Sequence, residues 1–197
     1  MTNSQTGSPS GLPIYEVFAV RYATREALRK NHFIGGDPHD GPMPMDYFVW
    51  VVRNAQHTFV VDTGFGAEVA AKRGRTLLRT PAEGLAAIGV DVAQVKDVII
   101  THLHYDHVGT FESFPIAQFH LQDDEMAYAT GRHMRHKQFN HGYEVEEVVG
   151  MVRLVYKDRV IVDAGGSRGH AVMALDVTSG DVVWASGNHA AGYAAPK

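Results

Sequence analysis

The chain has no cysteine among its 197 residues. A disulfide framework is therefore excluded, and any metal ligand must offer nitrogen or oxygen. No apolar run approaches the roughly 20 residues that a membrane-spanning helix needs. The segment Met1–Gly11 also lacks the basic start and the apolar stretch of a secretion signal. These absences lead us to expect a cytoplasmic protein without a membrane partner.

Positive charge is also scarce. Lys and Arg number 18 against 22 Asp and Glu, which gives a formal net charge of −4. The chain as a whole thus lacks the electrostatic signature of a nucleic-acid-binding protein. The composition, 45% hydrophobic and 20% charged, is that of an ordinary globular protein. We expect a disordered tail over residues 1–13 and a single domain with a sizeable core over residues 14–197.

Short runs rich in β-branched and aromatic residues alternate with helical patterns, which predicts a layered α/β protein. Turn residues at Asn54–Gln56 and at Thr178–Asp181 predict two hairpins. The predicted strands are Ile14–Arg21, Tyr47–Arg53, His57–Asp62, Asp97–Thr101, Ala117–Leu121, Arg159–Val162, Ala171–Val177 and Val182–Ala185.

The clearest helix signal begins at Thr80. Thr80 is a suitable N-cap, Pro81 suits the first helical position, and Glu83 can complete a capping box before Gly89 ends the helix. Further helices are predicted over Gly66–Lys72, Asp123–Thr130 and Gly142–Met151.

One nine-residue stretch, Thr101–Gly109, holds more closely spaced metal-ligand candidates than any other part of the chain. It begins where the apolar strand Asp97–Thr101 ends, so its side chains are expected at the carboxyl end of a buried strand. Imidazole and carboxylate groups at this spacing can bind first-row divalent ions, above all zinc. The candidate metal ligands are His102, His104, Asp106 and His107.

The backbone conformation decides whether these four side chains meet. On a continuing strand, His102, His104 and Asp106 would share one face, whereas His107 would point away. A turn near Tyr105 would let all four converge, and Gly109 would help because glycine tolerates unusual backbone angles and close approach. The alternative is a set of ordinary surface histidines in a chain that contains 12.

The pattern His102-x-His104-x-Asp106-His107 resembles the signature of the metallo-β-lactamase superfamily, and Val61-Asp-Thr-Gly64 resembles its second hallmark. Within that superfamily the N-terminal part resembles the N-acyl homoserine lactonases, through Tyr15–Phe18, His32–Asp40 and Pro44–Phe48. The resemblance runs from about Ile14 to about Val160. It implies an αββα sandwich and an α/β fold class in which helices cover two packed sheets.

The resemblance also implies a chemistry, namely hydrolysis of a small molecule by a hydroxide generated at two zinc ions. One ion would take His102, His104 and a later histidine. The other would take Asp106, His107 and a final histidine, and a later aspartate would bridge the two ions. Opening of a lactone ring, such as that of an N-acyl homoserine lactone, would use Asp106 to pass a proton to the departing alkoxide. Asp62 would orient a ligand histidine through its other ring nitrogen, or else serve as a turn residue.

The second half departs from this pattern. The expected third histidine falls on Gly166 and the bridging aspartate on Gly187, and neither glycine can coordinate a metal. The sandwich is expected to be incomplete and the domain truncated. One interpretation is a rearranged enzyme in which His170 or His189 completes the site. The others are a metal-poor, inactive relative and a non-enzymatic binding protein.

Two further segments leave alternatives open. Asp123–Met151 carries a mixture of Met, His and aromatic residues, which either lines an acyl-chain pocket or divides between core and surface. The C-terminal hairpin, Ala171–Ala185, has an apolar face that would normally be covered. We therefore predict homodimerisation or self-association through this hairpin.

Overall fold

The structure is a computed structural model, and it describes residues 13–155, 159–163, 172–176 and 179–186. The chain divides into two compact units, Met1–Gly150 and Met151–Lys197. Residues 1–12, which make up most of the expected disordered tail, lie outside the described residues. The single domain over residues 14–197 stays a prediction.

A six-stranded mixed sheet organises the first unit, with the strand order β4-β1-β2-β3-β5-β6. The first three strands in the chain pair antiparallel, whereas β3, β5 and β6 run parallel to one another. Parallel neighbours place their carboxyl ends at one edge of the sheet. The strands are β1 (Glu16–Arg25), β2 (Met45–Arg53), β3 (Thr58–Val61), β4 (Thr76–Leu77), β5 (Asp97–Ile99) and β6 (Gln118–His120).

Alternation along β2 shows why this segment is a strand. Val49 and Val51 are fully buried, whereas Phe48 and Trp50 between them are exposed to about two fifths. Val60 on β3 and Val98 on β5 continue the buried side. The sheet therefore has one face in the core of the unit.

Six α-helices occur in the described residues, joined by short 3-10 turns: α1 (Ala67–Arg73), α2 (Pro81–Ala87), α3 (Tyr105–Val108), α4 (Asp123–Ala129), α5 (Lys137–Asn140) and α6 (Val145–Val155). The capping box predicted for α2 is present, because Thr80 Oγ1 accepts from Glu83 N and the Glu83 carboxylate accepts from Thr80 N. No described helix has the length and apolar character to cross a bilayer.

The second unit contains a three-stranded antiparallel sheet in the order β7-β8-β9. Its strands are β7 (Arg159–Asp163), β8 (Val172–Asp176) and β9 (Val182–Ser186). The hairpin predicted between β8 and β9 is present, and Gly180 in its turn has φ +76°. Val182 and Val183 are exposed. Self-association through this hairpin stays a prediction.

Several predicted boundaries were wrong, and the reasons are tertiary. β1 extends to Arg25 instead of Arg21, because its far end pairs with Met45 at the start of β2. β5 ends at Ile99 instead of Thr101, since Thr101 turns toward Asp62. The helix expected over Gly142–Met151 begins at Val145. The short elements β4 and α5 were missed, because each is too brief to show a periodic pattern.

Gly64 offers a test of this packing. It has φ +71°, and a Cβ placed on it would lie 2.8 Å from both Pro81 Cγ and Tyr22 Cζ, the latter on a fully buried ring. We expect Gly64→Ala to lower the free energy of unfolding by about 2–4 kcal/mol, since steric overlap adds to backbone strain.

The matched control is Gly74→Ala, because Gly74 has φ +63° and an added Cβ would meet no atom of the described residues within 4 Å. It should lose only about 1 kcal/mol, the conformational part of the effect. Urea denaturation of both variants measures the difference. Equal losses would show that Gly64 is not tightly packed.

Candidate active site

The histidine cluster lies at the edge of the sheet where the parallel strands β3 and β5 end. Asp62 follows β3, and its backbone N–H donates to Ile99 O at the end of β5, over 2.8 Å. The chain does not continue as a strand after Ile99. Instead it turns into α3 at Tyr105, so the turn that would let the cluster converge is present. The local sequence encodes the turn, because α3 begins within the motif itself.

The turn gathers the three imidazole rings. The centroid of His102 lies 3.9 Å from that of His107 and 4.6 Å from that of His104. Asp106 is next to them, with its Oδ2 3.7 Å from His107 Nε2. All four predicted metal-site side chains are thus neighbours at one end of the sheet.

Asp62 is the connecting residue of the site. Its carboxylate accepts hydrogen bonds from Thr101 N at 2.8 Å and Thr101 Oγ1 at 3.0 Å, and its Oδ2 lies 2.8 Å from His107 Nδ1. It is only 4% exposed and has φ +63°, which is uncommon for a residue other than glycine. The predicted contact with a ring nitrogen of a cluster histidine is therefore present, and Asp62 is also the turn residue.

Burial and neighbouring charges shift the pKa values of the three imidazoles in different directions. Burial lowers the pKa of His102 and of His104, and the neighbouring histidine of each pushes in the same direction. Burial would also lower the pKa of His107, but the hydrogen bond and the charge of Asp62 outweigh it and raise this pKa. His102 and His104 are therefore held neutral, the form in which a ring nitrogen can bind a metal.

Tyrosines support α3 from beneath. The hydroxyl of Tyr22 donates to Asp106 O at 3.1 Å, and the hydroxyls of Tyr47 and Tyr105 lie 3.3 Å apart. Arg75 Nε donates to the Tyr105 hydroxyl, and Arg73 lies over the Tyr105 ring at 3.9 Å from its centroid. Tyr22 and Tyr47 were not predicted to touch the site, because strand residues that face inward look like ordinary core.

Glu125 and the segment before α6 support the histidine cluster from another side. Glu125 Oε1 accepts from Leu103 N at 2.8 Å and from the Tyr143 hydroxyl at 3.1 Å. The Tyr143 ring meets the His104 ring edge to face at 4.7 Å, and a Cβ on Gly142 would lie 2.8 Å from that imidazole. Sequence reasoning missed Glu125, which was hidden among the acidic residues of the first turn of α4.

Gly109 matters for close approach and not for an unusual backbone angle. The φ angle of Gly109 is not positive. A Cβ atom on Gly109 would, however, lie 2.8 Å from Glu147 Oε1 and 2.9 Å from Tyr105 O. Glu147 is buried, and its Oε2 has no hydrogen-bond partner among the residues that the structure describes. Burial, followed by repulsion from Glu144, raises the pKa of Glu147 to about 8. A protonated carboxyl group therefore lies directly behind the metal motif at neutral pH.

The candidate side chains have the chemistry of metal ligands, but too few of them are arranged around one point to hold an ion. Neutral imidazoles and a carboxylate are ligands that zinc accepts. In the described ranges, however, no group of three or more His, Asp or Glu side chains is arranged to hold an ion. The positions expected to complete the site, Gly166 and Gly187, and the possible substitutes His170 and His189, lie outside the described residues. The four candidate ligands are thus grouped, and their role as metal ligands stays a prediction.

Comparison with known proteins agrees with this geometry. A family profile described as Metallo-beta-lactamase superfamily matches residues 43–120, which include β3, Asp62 and the whole histidine motif. A crystal structure of a quorum-quenching N-acyl homoserine lactone lactonase has the same fold, with a TM-score of 0.52 at 14% identity over 82% of this chain and 67% of that chain. Residues 43–120 therefore resemble the metallo-β-lactamase superfamily, and the predicted metallo-β-lactamase-like fold, incomplete relative to that structure, is confirmed.

Two curated proteins are also similar. An N-acyl homoserine lactonase of Agrobacterium fabrum, AttM, is 34% identical over 107 residues, which are 48% of this chain and 40% of AttM. A probable metallo-hydrolase of Mycobacterium tuberculosis is 25% identical over 160 residues, 65% of this chain and 52% of that protein. The chain spans about half the length of the curated relatives it matches. It resembles the lactonases of that superfamily, as the sequence indicated.

The Asp62–His107 contact generates a titration prediction. Asp62→Asn keeps the shape of the side chain and tolerates the positive φ but removes the charge, so the pKa of His107 in metal-free protein should fall. An NMR pH titration of the imidazole signals measures it. Asp97→Asn is the control, because Asp97 contacts His120 at 2.9 Å instead of the cluster. An unchanged His107 titration in Asp62→Asn would contradict the contact.

Glu147 generates a stability prediction. An unfolded chain ionises this carboxyl above a pKa of 4.5, whereas the folded protein keeps it protonated up to about pH 8. Folding is therefore progressively disfavoured between pH 4.5 and 8, by about 5 kcal/mol in total. Glu147→Gln cannot ionise, so its free energy of unfolding should rise relative to the wild type across this window.

Urea unfolding at pH 5, 6.5 and 8 measures this difference, and the trend with pH separates ionisation from any constant effect of the amide. Glu146→Gln is the matched control, because Glu146 is the exposed neighbour on the same helix. Parallel pH profiles for Glu147→Gln and the wild type would refute the prediction.

Proposed function

We propose that this protein is a metal-dependent hydrolase that opens a lactone ring, such as that of an N-acyl homoserine lactone. The proposed metal ligands are His102, His104, Asp106 and His107. The observation that carries the proposal is the gathering of three imidazole rings, with centroids 3.9 and 4.6 Å from that of His102, beside the Asp106 carboxylate at the end of β5.

Zinc is the proposed metal, as one or two ions, because the chain offers only nitrogen and oxygen donors and zinc accepts both. When bound, such an ion would polarise the substrate carbonyl and supply a nucleophilic hydroxide at neutral pH. The lowered pKa values of His102 and His104 support binding, since these rings need not lose a proton first.

The residues of the chain have separate proposed roles. Asp62 holds Nδ1 of His107, which leaves Nε2 on the side of Asp106. Asp106 is partly accessible, with 22% of its side chain exposed, so it can accept a proton from the attacking water and return it to the departing alkoxide. Tyr143 and Gly142 fix the His104 ring and exclude water from its flank.

The proposed substrate class draws on the lactonase relatives. AttM is named as an N-acyl homoserine lactonase, and its matched portion covers under half of this chain. Ring opening also suits the site, because one accessible carboxylate can serve both proton transfers. A quorum-quenching role would follow from such an activity. Hydrolysis of another ester or a thioester uses the same steps and is an alternative within this proposal.

The second candidate is a metal-poor relative that binds a ligand without turnover. Among the described side chains, no three are arranged to hold an ion, and glycines stand at two expected ligand positions in the sequence. Zinc sites need three or four protein ligands, so four donors shared between two ions leave each ion short. Metal content decides between the candidates. One or two ions per chain, in protein purified without added metal, support the hydrolase.

The double variant His102→Ala/His104→Ala tests the proposal. It should lose bound zinc, measured by mass spectrometry of the purified protein, and its kcat/KM for lactone hydrolysis should fall by about 100-fold or more. The control is His39→Ala/His57→Ala, which removes two histidines that are remote in sequence from the cluster and contact none of its members. Unchanged activity in the cluster variant would remove the motif from the mechanism.

A further inference from the structure

An eleven-residue segment, 131–141, differs in charge from the rest of this acidic chain. It contains Arg132, Arg135 and Lys137, three histidines, and no aspartate or glutamate. All six of these side chains are exposed. We call residues 131–141 the basic segment. It collects positive charge in a protein whose formal net charge is −4.

The three permanent cations of the basic segment are close together in the chain and are not neutralised by carboxylates. Six other Arg and Lys side chains pair with described carboxylates, as Arg29 does with Asp37 at 2.8 Å and Arg73 with Glu144 at 2.8 Å. The cations of the basic segment form no ion pair with a described carboxylate. Their positive charge is therefore available to a ligand.

The basic segment is joined to the candidate active site. Immediately after it, Gly142 O accepts from Tyr105 N at 2.8 Å, and Tyr143 packs on His104. A series of ring contacts continues outward, with Tyr143 to Tyr128 at 6.3 Å and Tyr128 to His133 at 6.0 Å between centroids. The segment and the cluster thus belong to one continuous surface.

We propose that the basic segment binds an anionic group, a carboxylate or a phosphate, on the substrate of this site. This inference rests on the proposed function, because it takes the histidine cluster as the reaction centre. Arg132, Arg135 and Lys137 would hold the anion through charge-assisted hydrogen bonds, away from the reacting carbonyl. The preferred substrate is thus a lactone, ester or thioester that carries a negative charge, which narrows the substrate class of the proposed function.

Exposed aromatic rings within and next to the basic segment support such a substrate. Phe139 is 42% exposed and Tyr128 is 37% exposed, and both belong to the same stretch of chain. An acyl or aromatic portion can cover these rings while the anion meets the cations. A neutral acyl chain would use the rings and leave the three charges without a role.

The first experiment measures binding without turnover. Glutarate is titrated into ¹⁵N-labelled protein, with the neutral diamide glutaramide as the comparison ligand. We expect the amide signals of residues 131–141 to shift with glutarate and not with glutaramide. The variant Arg132→Gln/Arg135→Gln/Lys137→Gln should weaken glutarate binding by about tenfold or more.

The matched control is Arg79→Gln/Lys96→Gln/Arg153→Gln. These residues are also exposed and form no ion pair with a described carboxylate, so the control removes the same net charge. It should keep wild-type glutarate binding. Equal weakening in both variants would mean that only net charge matters, and the proposal would be overturned. Salt-dependent binding of an oligonucleotide without any response to glutarate would overturn it as well.

The second experiment measures specificity. Mono(4-nitrophenyl) glutarate and 4-nitrophenyl valerate share a leaving group and an acyl length but differ by one carboxylate. The triple variant should lose about tenfold in kcat/KM for the glutarate ester, mainly through KM, and little for the valerate ester. Coenzyme A thioesters, compared with neutral N-acetylcysteamine thioesters, show whether phosphate is the preferred anion. Equal losses for charged and neutral substrates would refute the proposal.

The two experiments distinguish failure of the anion site from failure of the proposed hydrolase activity. If the wild type hydrolyses none of these substrates but glutarate still shifts the basic segment and the triple variant abolishes this, the anion site stands and the proposed hydrolase activity fails. If the esters are hydrolysed without a preference for the anionic member of each pair, the hydrolase activity stands and the anion site fails. Circular dichroism of each variant confirms that the fold is kept.

Discussion

The candidate site depends on the hydrogen bonds that the buried carboxylate of Asp62 makes with Thr101 and His107. This carboxylate is buried between the ends of β3 and β5, and it binds Thr101 through backbone and side chain and His107 through the ring. Burying a carboxylate without such partners would be strongly unfavourable. The burial of Asp62 therefore depends on these hydrogen bonds, and the positions of Thr101 and His107 depend on Asp62. The positive φ of Asp62 aims the side chain across the strand gap and is maintained by the same bonds.

From this anchor the motif is fixed on two sides. Beneath it, hydroxyls and guanidinium groups hold α3 through Tyr105 and the backbone of Asp106. Beside it, Glu125 ties Leu103 to Tyr143, whose ring holds His104. Such support lets imidazoles keep one orientation without relying on their own exposed surfaces, which is what a preorganised ligand set requires. Glu147 behind Gly109 is the exception, because Oε2 of its buried carboxyl group has no partner in the described part of the chain and the group stays protonated at neutral pH.

The described residues contain one part of the proposed hydrolase site. The local chemistry favours metal binding, since the rings are neutral and grouped, whereas the number of ligands among these residues falls short of a complete two-ion site. The basic segment adds information that the metal motif does not carry. A reaction centre defines which bond is broken, and the charges around it select which molecule arrives there.

The sequence by itself indicated the resemblance to the superfamily, the strand that leads into the motif, the capping box at Thr80 and the four ligand candidates, because each depends on residues close together in the chain. Only the tertiary structure decided that Tyr22 supports Asp106 across 84 residues, that Glu125 holds the loop, and that Glu147 lies behind Gly109. The physical reason is that partners of a buried polar group are chosen by distance in the fold. No periodicity or spacing along the chain records that distance, whereas turns, caps and strand patterns arise from neighbouring residues.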